Sequence, residues 1–404
     1  MLLRNHGAIL FLMFIVLIQF SGYGMIVPIM PAYMNEIGMS GQTVGFLYAI
    51  FSITELLFSP IVGKLSDIYG RKMWISGGLL VFTVSEWLFG AANSVPLLLL
   101  SRFLEGLGSA LMTPAVMAYV SDVTSTEERA KGMSYLNASI SAGFMIGPGI
   151  GGFIAEYGIR IPFYSAAVVG ALAMVVSLFL LPESLSPELR EKAGKEMKQT
   201  DSLFRQFRKS LHAPYIYGLL IVFVLALGLV IFETIFGLYV DRKYHFSPRD
   251  IAVIITCCAI VGALVQITVL GPLLNRFGEK KIICACLVAG GGCLLVMELI
   301  HLSWIILLVT FMIFLSSDIL RPSVGTLLSK MAGEEQGFIA GMNSAYTSLG
   351  NFIGPIMAGF LFDWYIGAPY IFAGTSLLIC FVMSMFLLKT SEKRRTLVET
   401  DSKC

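Results

Sequence analysis

Long apolar runs separated by short polar turns dominate the chain. They predict membrane-spanning helices near 8–35, 42–64, 73–92, 95–121, 132–156 and 161–182, and a second set near 213–240, 250–275, 281–299, 303–330, 336–362 and 367–389. The one long polar stretch, residues 183–212, has seven Lys/Arg and five Asp/Glu. It reads as a solvated linker between two six-span domains, 1–182 and 213–390, with 391–404 left as a polar tail. The expected fold is an all-α integral membrane protein of twelve transmembrane helices in two six-helix bundles.

Composition supports this. The chain has 404 residues, 56% of them apolar, and only 13% are Asp, Glu, Lys or Arg, about half the usual charged share of a soluble domain. A soluble enzyme, a disordered scaffold or a nucleic-acid binder of this length is excluded, because so few charges cannot cover so much apolar surface. Residues 7–35 contain no Asp, Glu, Lys or Arg. That is too long for a signal-peptide core and reads as the first span. The positive-inside rule orients the chain: with the N-terminus inside, 22 of the 28 Lys/Arg are cytoplasmic. Arg160, Arg242, Lys243 and Arg249 are then outside, and Arg102 and Arg321 lie within spans. Both termini are expected in the cytoplasm.

The two sets of spans repeat one another. Gly63-Lys-Leu-Ser-Asp67-Ile-Tyr-Gly70-Arg71-Lys72 matches Gly271-Pro-Leu-Leu-Asn275-Arg-Phe-Gly278-Glu279-Lys280. Gly143-Phe-Met-Ile-Gly147-Pro148-Gly-Ile-Gly-Gly152 matches Gly350-Asn-Phe-Ile-Gly354-Pro355-Ile-Met-Ala-Gly359. Parallel repeats of this kind are a transporter architecture with the substrate near mid-membrane. There is no GxxxxGK[ST] loop to bind ATP, no HExxH and no paired CxxC. The seven cysteines and four histidines therefore suggest no disulfide frame and no metal site, and no cofactor is expected.

Ionisable residues inside spans are costly and ask for a reason. Glu55, Glu86, Arg102, Glu105, Glu233, Asp318 and Arg321 lie well inside; Glu156, Glu298 and Asp363 lie near span ends. Five acids against two arginines cannot all be neutralised by pairing. Some must be protonated for part of a cycle, as a proton-coupled carrier requires. Asp318 and Arg321 share a helix face at i,i+3 spacing, and the following Pro322 can kink that helix. Glu233, between Phe232 and Phe236 with no basic residue nearby in sequence, reads either as an unpaired acid for an organic cation or as an acid paired to another span. The Gly-Pro pairs at 147–148 and 354–355 are candidate bending points.

These motifs resemble the major facilitator superfamily. Gly63–Lys72 is similar to its cytoplasmic loop signature, and Leu98-x3-Arg102-x2-Glu105-Gly106-x-Gly108-Ser-Ala110 to its span-4 signature. Gly143–Gly152 is similar to its span-5 signature, which marks drug/proton antiporters. Phe232-Glu233-Thr234, Asp318-Ile-Leu-Arg321-Pro322, Gln336-Gly337-Phe338 and Gly341-Met-Asn343-Ser resemble the NorA/Bmr/Blt group of bacterial multidrug efflux pumps. The resemblance implies proton-driven export of amphipathic, often cationic drugs (quinolones, dyes, quaternary ammoniums) by a monomer in the bacterial inner membrane. It makes Glu233, Asp318, Arg321 and Arg102 candidates for proton coupling. By the same resemblance Phe20, Phe51, Tyr135, Phe144, Gln266 and Phe314 fall at positions matching the family's drug-pocket lining, and Glu55, Glu233, Phe236 and Asn351 are added to it as candidates. Gly63, Asp67, Gly70, Arg71 and Asp122 are the candidate gate, with the two Gly-Pro pairs. Glu105 stands where the signature usually has Gln, and Glu55 where relatives often have Gln, which would make the cavity more acidic and favour cations. The competing readings are export of a physiological metabolite (a sugar, polyamine or lipid-like molecule) with drugs as incidental cargo, and a non-transporting membrane sensor.

Overall fold

The computed structural model describes residues 2–401 apart from 126–127, 187, 189, 191–215, 301 and 332–335. Most of the expected linker, from 191 onward, and residues 402–404 of the expected tail lie outside the described residues. The described chain is helical. In order it forms α1 (Leu2–Ile37), α2 (Gly41–Tyr69), α3 (Arg71–Ala91), α4 (Val95–Val123), α5 (Arg129–Ile154) and α6 (Ile161–Leu180). It continues as α7 (Ile216–Tyr244), α8 (Pro248–Thr268), α9 (Leu270–Phe277), α10 (Glu279–Met297), α11 (Ser303–Met331), α12 (Gln336–Trp364) and α13 (Ala368–Asp401). Among the described residues, eleven helices are long and apolar enough to cross a membrane. The 29-residue α12 supplies the remaining expected span.

Two boundaries differ from expectation. The eighth span does not run unbroken to 275. It stops at Thr268 and restarts as α9, because Pro272 lacks an N–H and its ring would collide with the Thr268 carbonyl. Proline is tolerated in the first turn of the new helix. At the other end, α13 continues past the last apolar residue to Asp401, so the described part of the polar tail is helical.

The chain separates into two compact units. One comprises Met1–Thr200 with Phe236–Thr256, and the other Asp201–Ile235 with Cys257–Cys404. In the first, α1 packs on α5, α3 on α4 and α6, and α2 on α4. The α1–α5 contact is built on glycines one turn apart. A Cβ on Gly143 would come within 2.8 Å of the Leu17 carbonyl, one on Gly147 would overlap the Ser21 carbonyl, and one on Gly151 would come within 2.8 Å of Met25 Cα. Small residues at this spacing let two backbones touch. The segment 236–256 belongs to this unit for the same reason. A Cβ on Gly237 would press on the Val27 carbonyl at 2.8 Å, and one on Gly149 on Thr256 Oγ1 at 2.9 Å. Arg249 donates to Glu156 at 3.0 Å.

In the second unit α10 packs on α11 and α13. The repeat predicted from the sequence reappears here: Gly350 of α12 faces the Phe223 carbonyl and Leu227 N of α7, and Gly354 faces the Leu227 carbonyl.

Candidate functional site

In the second unit, α7, α8 and α11 bring Glu233, Asp318 and Arg321 together. Arg321 Nη2 donates to Glu233 Oε1 at 2.8 Å, and the two side chains are 53% and 42% exposed. Glu233 is therefore the acid paired to another span, and the unpaired reading is corrected. The sequence showed no partner because the partner comes from a helix 88 residues away. Asp318 and Arg321 share a face, but Asp318 turns to α8, where a Cβ on Gly262 would overlap its Oδ2. Gln266, one turn beyond Gly262, donates to the Asp318 backbone carbonyl at 2.9 Å. Phe232, the neighbour of Glu233 in sequence, stands edge-on to Phe314, with centroids 5.3 Å apart, and lies 6.0 Å from Tyr370. Asn351 is half-buried on α12.

In the first unit, Phe20, Phe51 and Phe144 come together, joined by Tyr23. Tyr23 is 4.8 Å from Phe51 and 5.4 Å from Phe144, and Phe20 is 5.0 Å from Phe144. Tyr23 was missed in the sequence, although its place one turn after Phe20 on an apolar helix is the signal for it. Phe144 is 41% exposed and Tyr135 52% exposed, so both offer apolar surface. Phe236, in contrast, is 1% exposed and presents no surface to a ligand in this structure. Glu55 is half-buried, and its Oε1 accepts a 2.6 Å hydrogen bond from Ser109. Arg102 lies deep between α3 and α4, ion-paired with Glu105 of its own helix.

The candidate gate is centred on Arg71, buried at the start of α3. It reaches Asp67 at 2.5 Å, Asp122 at 3.1 Å and Ser66 Oγ at 2.7 Å. Glu183, which follows α6, accepts from the backbone N–H groups of Arg71 and Lys72 at 2.8 and 3.2 Å. A carboxylate there satisfies free helix N–H groups and complements the helix dipole. Gly70 adopts φ +97, and a Cβ on it would strike Glu183 at 2.5 Å, so this turn requires glycine. Gly63 is less constrained, since a Cβ there would meet Pro114 only at an ordinary contact distance of 3.9 Å. Pro148 lies against Gly24, and Pro355 is buried on α12.

The family model of the Major Facilitator Superfamily matches residues 12–267 and 218–402. The chain is 44% identical over 370 residues to "Multidrug resistance protein 2" of Bacillus subtilis, covering 92% of each. It is 37% identical over 367 residues to "Quinolone resistance protein NorA" of Staphylococcus aureus, covering 91% of this chain and 93% of that one. Its fold is similar to that of the nucleoside transporter NupG, with a TM-score of 0.75 at 14% identity over 95% of this chain and 99% of that chain. The repeated glycine contacts, the acids buried in spans and a match over nearly the whole length together place the chain, which belongs to the Major Facilitator Superfamily.

Proposed function

We propose that the protein is a proton-coupled multidrug efflux antiporter of the bacterial cytoplasmic membrane, working as a monomer with both termini inside. The observation that carries this reading is the grouping in the second unit of two acids held in different ways. Glu233 is neutralised by Arg321, and Asp318 is seated against α8 at Gly262. The multidrug and quinolone resistance names of the relatives support drugs as the cargo.

In this reading a cationic drug takes the place of Arg321 on ionised Glu233, and the freed Arg321 draws the proton off Asp318 to the inside; once the drug has left outside, Asp318 and Glu233 each take up a proton there, and Glu233 releases its proton inside as the Arg321 pair re-forms. Exchange of a monocation for one proton moves no net charge. Exchange for two moves one charge inward, adding about 2.3 kcal/mol per 100 mV, or a roughly fiftyfold drug gradient.

Proteoliposomes containing only this protein, with a trapped pH indicator and a cationic dye, test it. Dye movement should drive proton movement in the opposite direction, and Asp318→Asn should abolish it. Dye transport with no accompanying proton flux would refute the coupling.

A further inference from the structure

The most tightly enclosed charges in the first unit are Glu86 of α3 with Arg102 and Glu105 of α4. Their side chains are at most 2% exposed. Arg102 Nη1 contacts Glu105 Oε2, while its Nη2 lies 4.0 Å from Glu86 Oε1, so the guanidinium fork stands between the two carboxyls. Phe89 covers it, with the ring centroid 4.4 Å from Arg102 Cζ. Next to these residues, Ser85 and Ser101 each donate to the other's carbonyl, at 3.1 and 3.0 Å, tying α3 to α4. On the third side α1 closes in at Gly22, where a Cβ would come within 3.3 Å of Glu86 Oε1.

The charge count does not balance. Arginine stays protonated, so two ionised carboxyls would leave one uncompensated negative charge out of reach of water, which is strongly disfavoured. Among the described residues neither Glu86 oxygen has a hydrogen-bond donor. The surrounding titratable groups add no uncompensated positive charge: Arg160, just before α6, reaches the Gly90 carbonyl at 3.3 Å but is already paired with Glu36 at 2.7 Å. Glu55 of α2 lies on the Glu105 side and is bound to Ser109. Tyr33 of α1 donates to the Phe89 carbonyl at 3.3 Å.

We propose that Glu86, Arg102 and Glu105 form a one-proton site in which the two carboxyls share a single proton across the guanidinium. In this structure Arg102 and Glu105 are the ion pair and Glu86 is the neutral acid. The fork allows the alternative, in which Arg102 pairs with Glu86 and Glu105 takes the proton on the side facing Glu55. This site shares no residue with the Glu233, Asp318 and Arg321 grouping, and its single proton is read out without any transport measurement.

Infrared spectroscopy of the full-length protein in lipid nanodiscs at pH 7 tests it. Exposed carboxyls, whose ordinary pKa is about 4.3 for Glu, are ionised there, so the protonated-acid carbonyl band reports buried acids. Glu86→Gln should remove one acid's share of that band and reach the membrane at the wild-type level, since a neutral group replaces a neutral group. Glu105→Gln should also remove one share, because Glu86 must then ionise to balance Arg102. The double variant leaves Arg102 uncompensated and should accumulate at least about tenfold less, with Arg102→Gln in that background restoring it. Retention of the full band in either single variant, or failure of Glu86→Gln to accumulate, would overturn the proposal.

Discussion

Arg321 donates its 2.8 Å hydrogen bond to Glu233 on α7 and not to Asp318, three residues before it on α11. The two acids are thereby separated in chemistry as well as in position. One carries a permanent cationic partner, and the other sits against the bare backbone of α8 at Gly262.

Replacing Glu233 by Gln should cost little stability, under about 1 kcal/mol, because the Arg321 pair is roughly half exposed. Export of cationic dyes should fall at least tenfold while some export of neutral or zwitterionic drugs remains. Dye efflux from cells, normalised to membrane level, measures both.

Gly262→Ala should behave like a milder Asp318→Asn. The new methyl overlaps Asp318 Oδ2 and pushes the carboxyl off its seat. Efflux should drop about tenfold with drug affinity preserved, a change of about 1.4 kcal/mol. The Gly262→Ala/Asp318→Asn double variant should be no worse than Asp318→Asn alone, which a transport assay on the three variants decides.

The two glycine contacts should differ in tolerance. Alanine at Gly147 meets the Ser21 carbonyl and Cα, whereas alanine at Gly354 finds its nearest atom, the Leu227 carbonyl, at 3.2 Å. Gly147→Ala should destabilise by about 1–3 kcal/mol through overpacking, and Gly354→Ala by less. Thermal melting of the purified variants in one detergent gives the order.

At the Arg71 cluster, Asp67→Asn removes one of three side-chain partners and should slow efflux severalfold without changing drug affinity. Arg71→Lys should be more damaging, since a single ammonium cannot reproduce the fork that reaches Ser66, Asp67 and Asp122 together. Rates and affinities measured side by side separate a gating defect from a binding defect.

Orientation is tested by cysteine labelling. Single cysteines at positions in 183–212 and 391–404 should react only from the cytoplasm, and those at 241–249 only from outside. Labelling of position 200 from outside intact cells would reverse the proposed topology.

Much of this protein is written in its one-dimensional pattern. Span number follows from runs of apolar residues long enough to cross a bilayer, and the repeat follows from glycines that recur one turn apart, at 143, 147 and 151 and again at 350 and 354. The acids that matter were visible because any ionisable group in such a run is conspicuous. Sequence did not decide which partner each acid takes. Spacing put Asp318 with Arg321, yet the approach of α7 gave Arg321 to Glu233, and a side chain missing at Gly262 gave Asp318 a seat on α8. Glu86, conspicuous as an acid within a span but with no basic residue beside it on its own helix, became part of a charge cluster only when Ser85 and Ser101 tied α3 to α4 beside Arg102. Local pattern fixes which residues enter the membrane because each residue's transfer depends on its own side chain. Pairing depends on distance between helices, and that is set by the small residues at their crossings and is known only once the helices have packed.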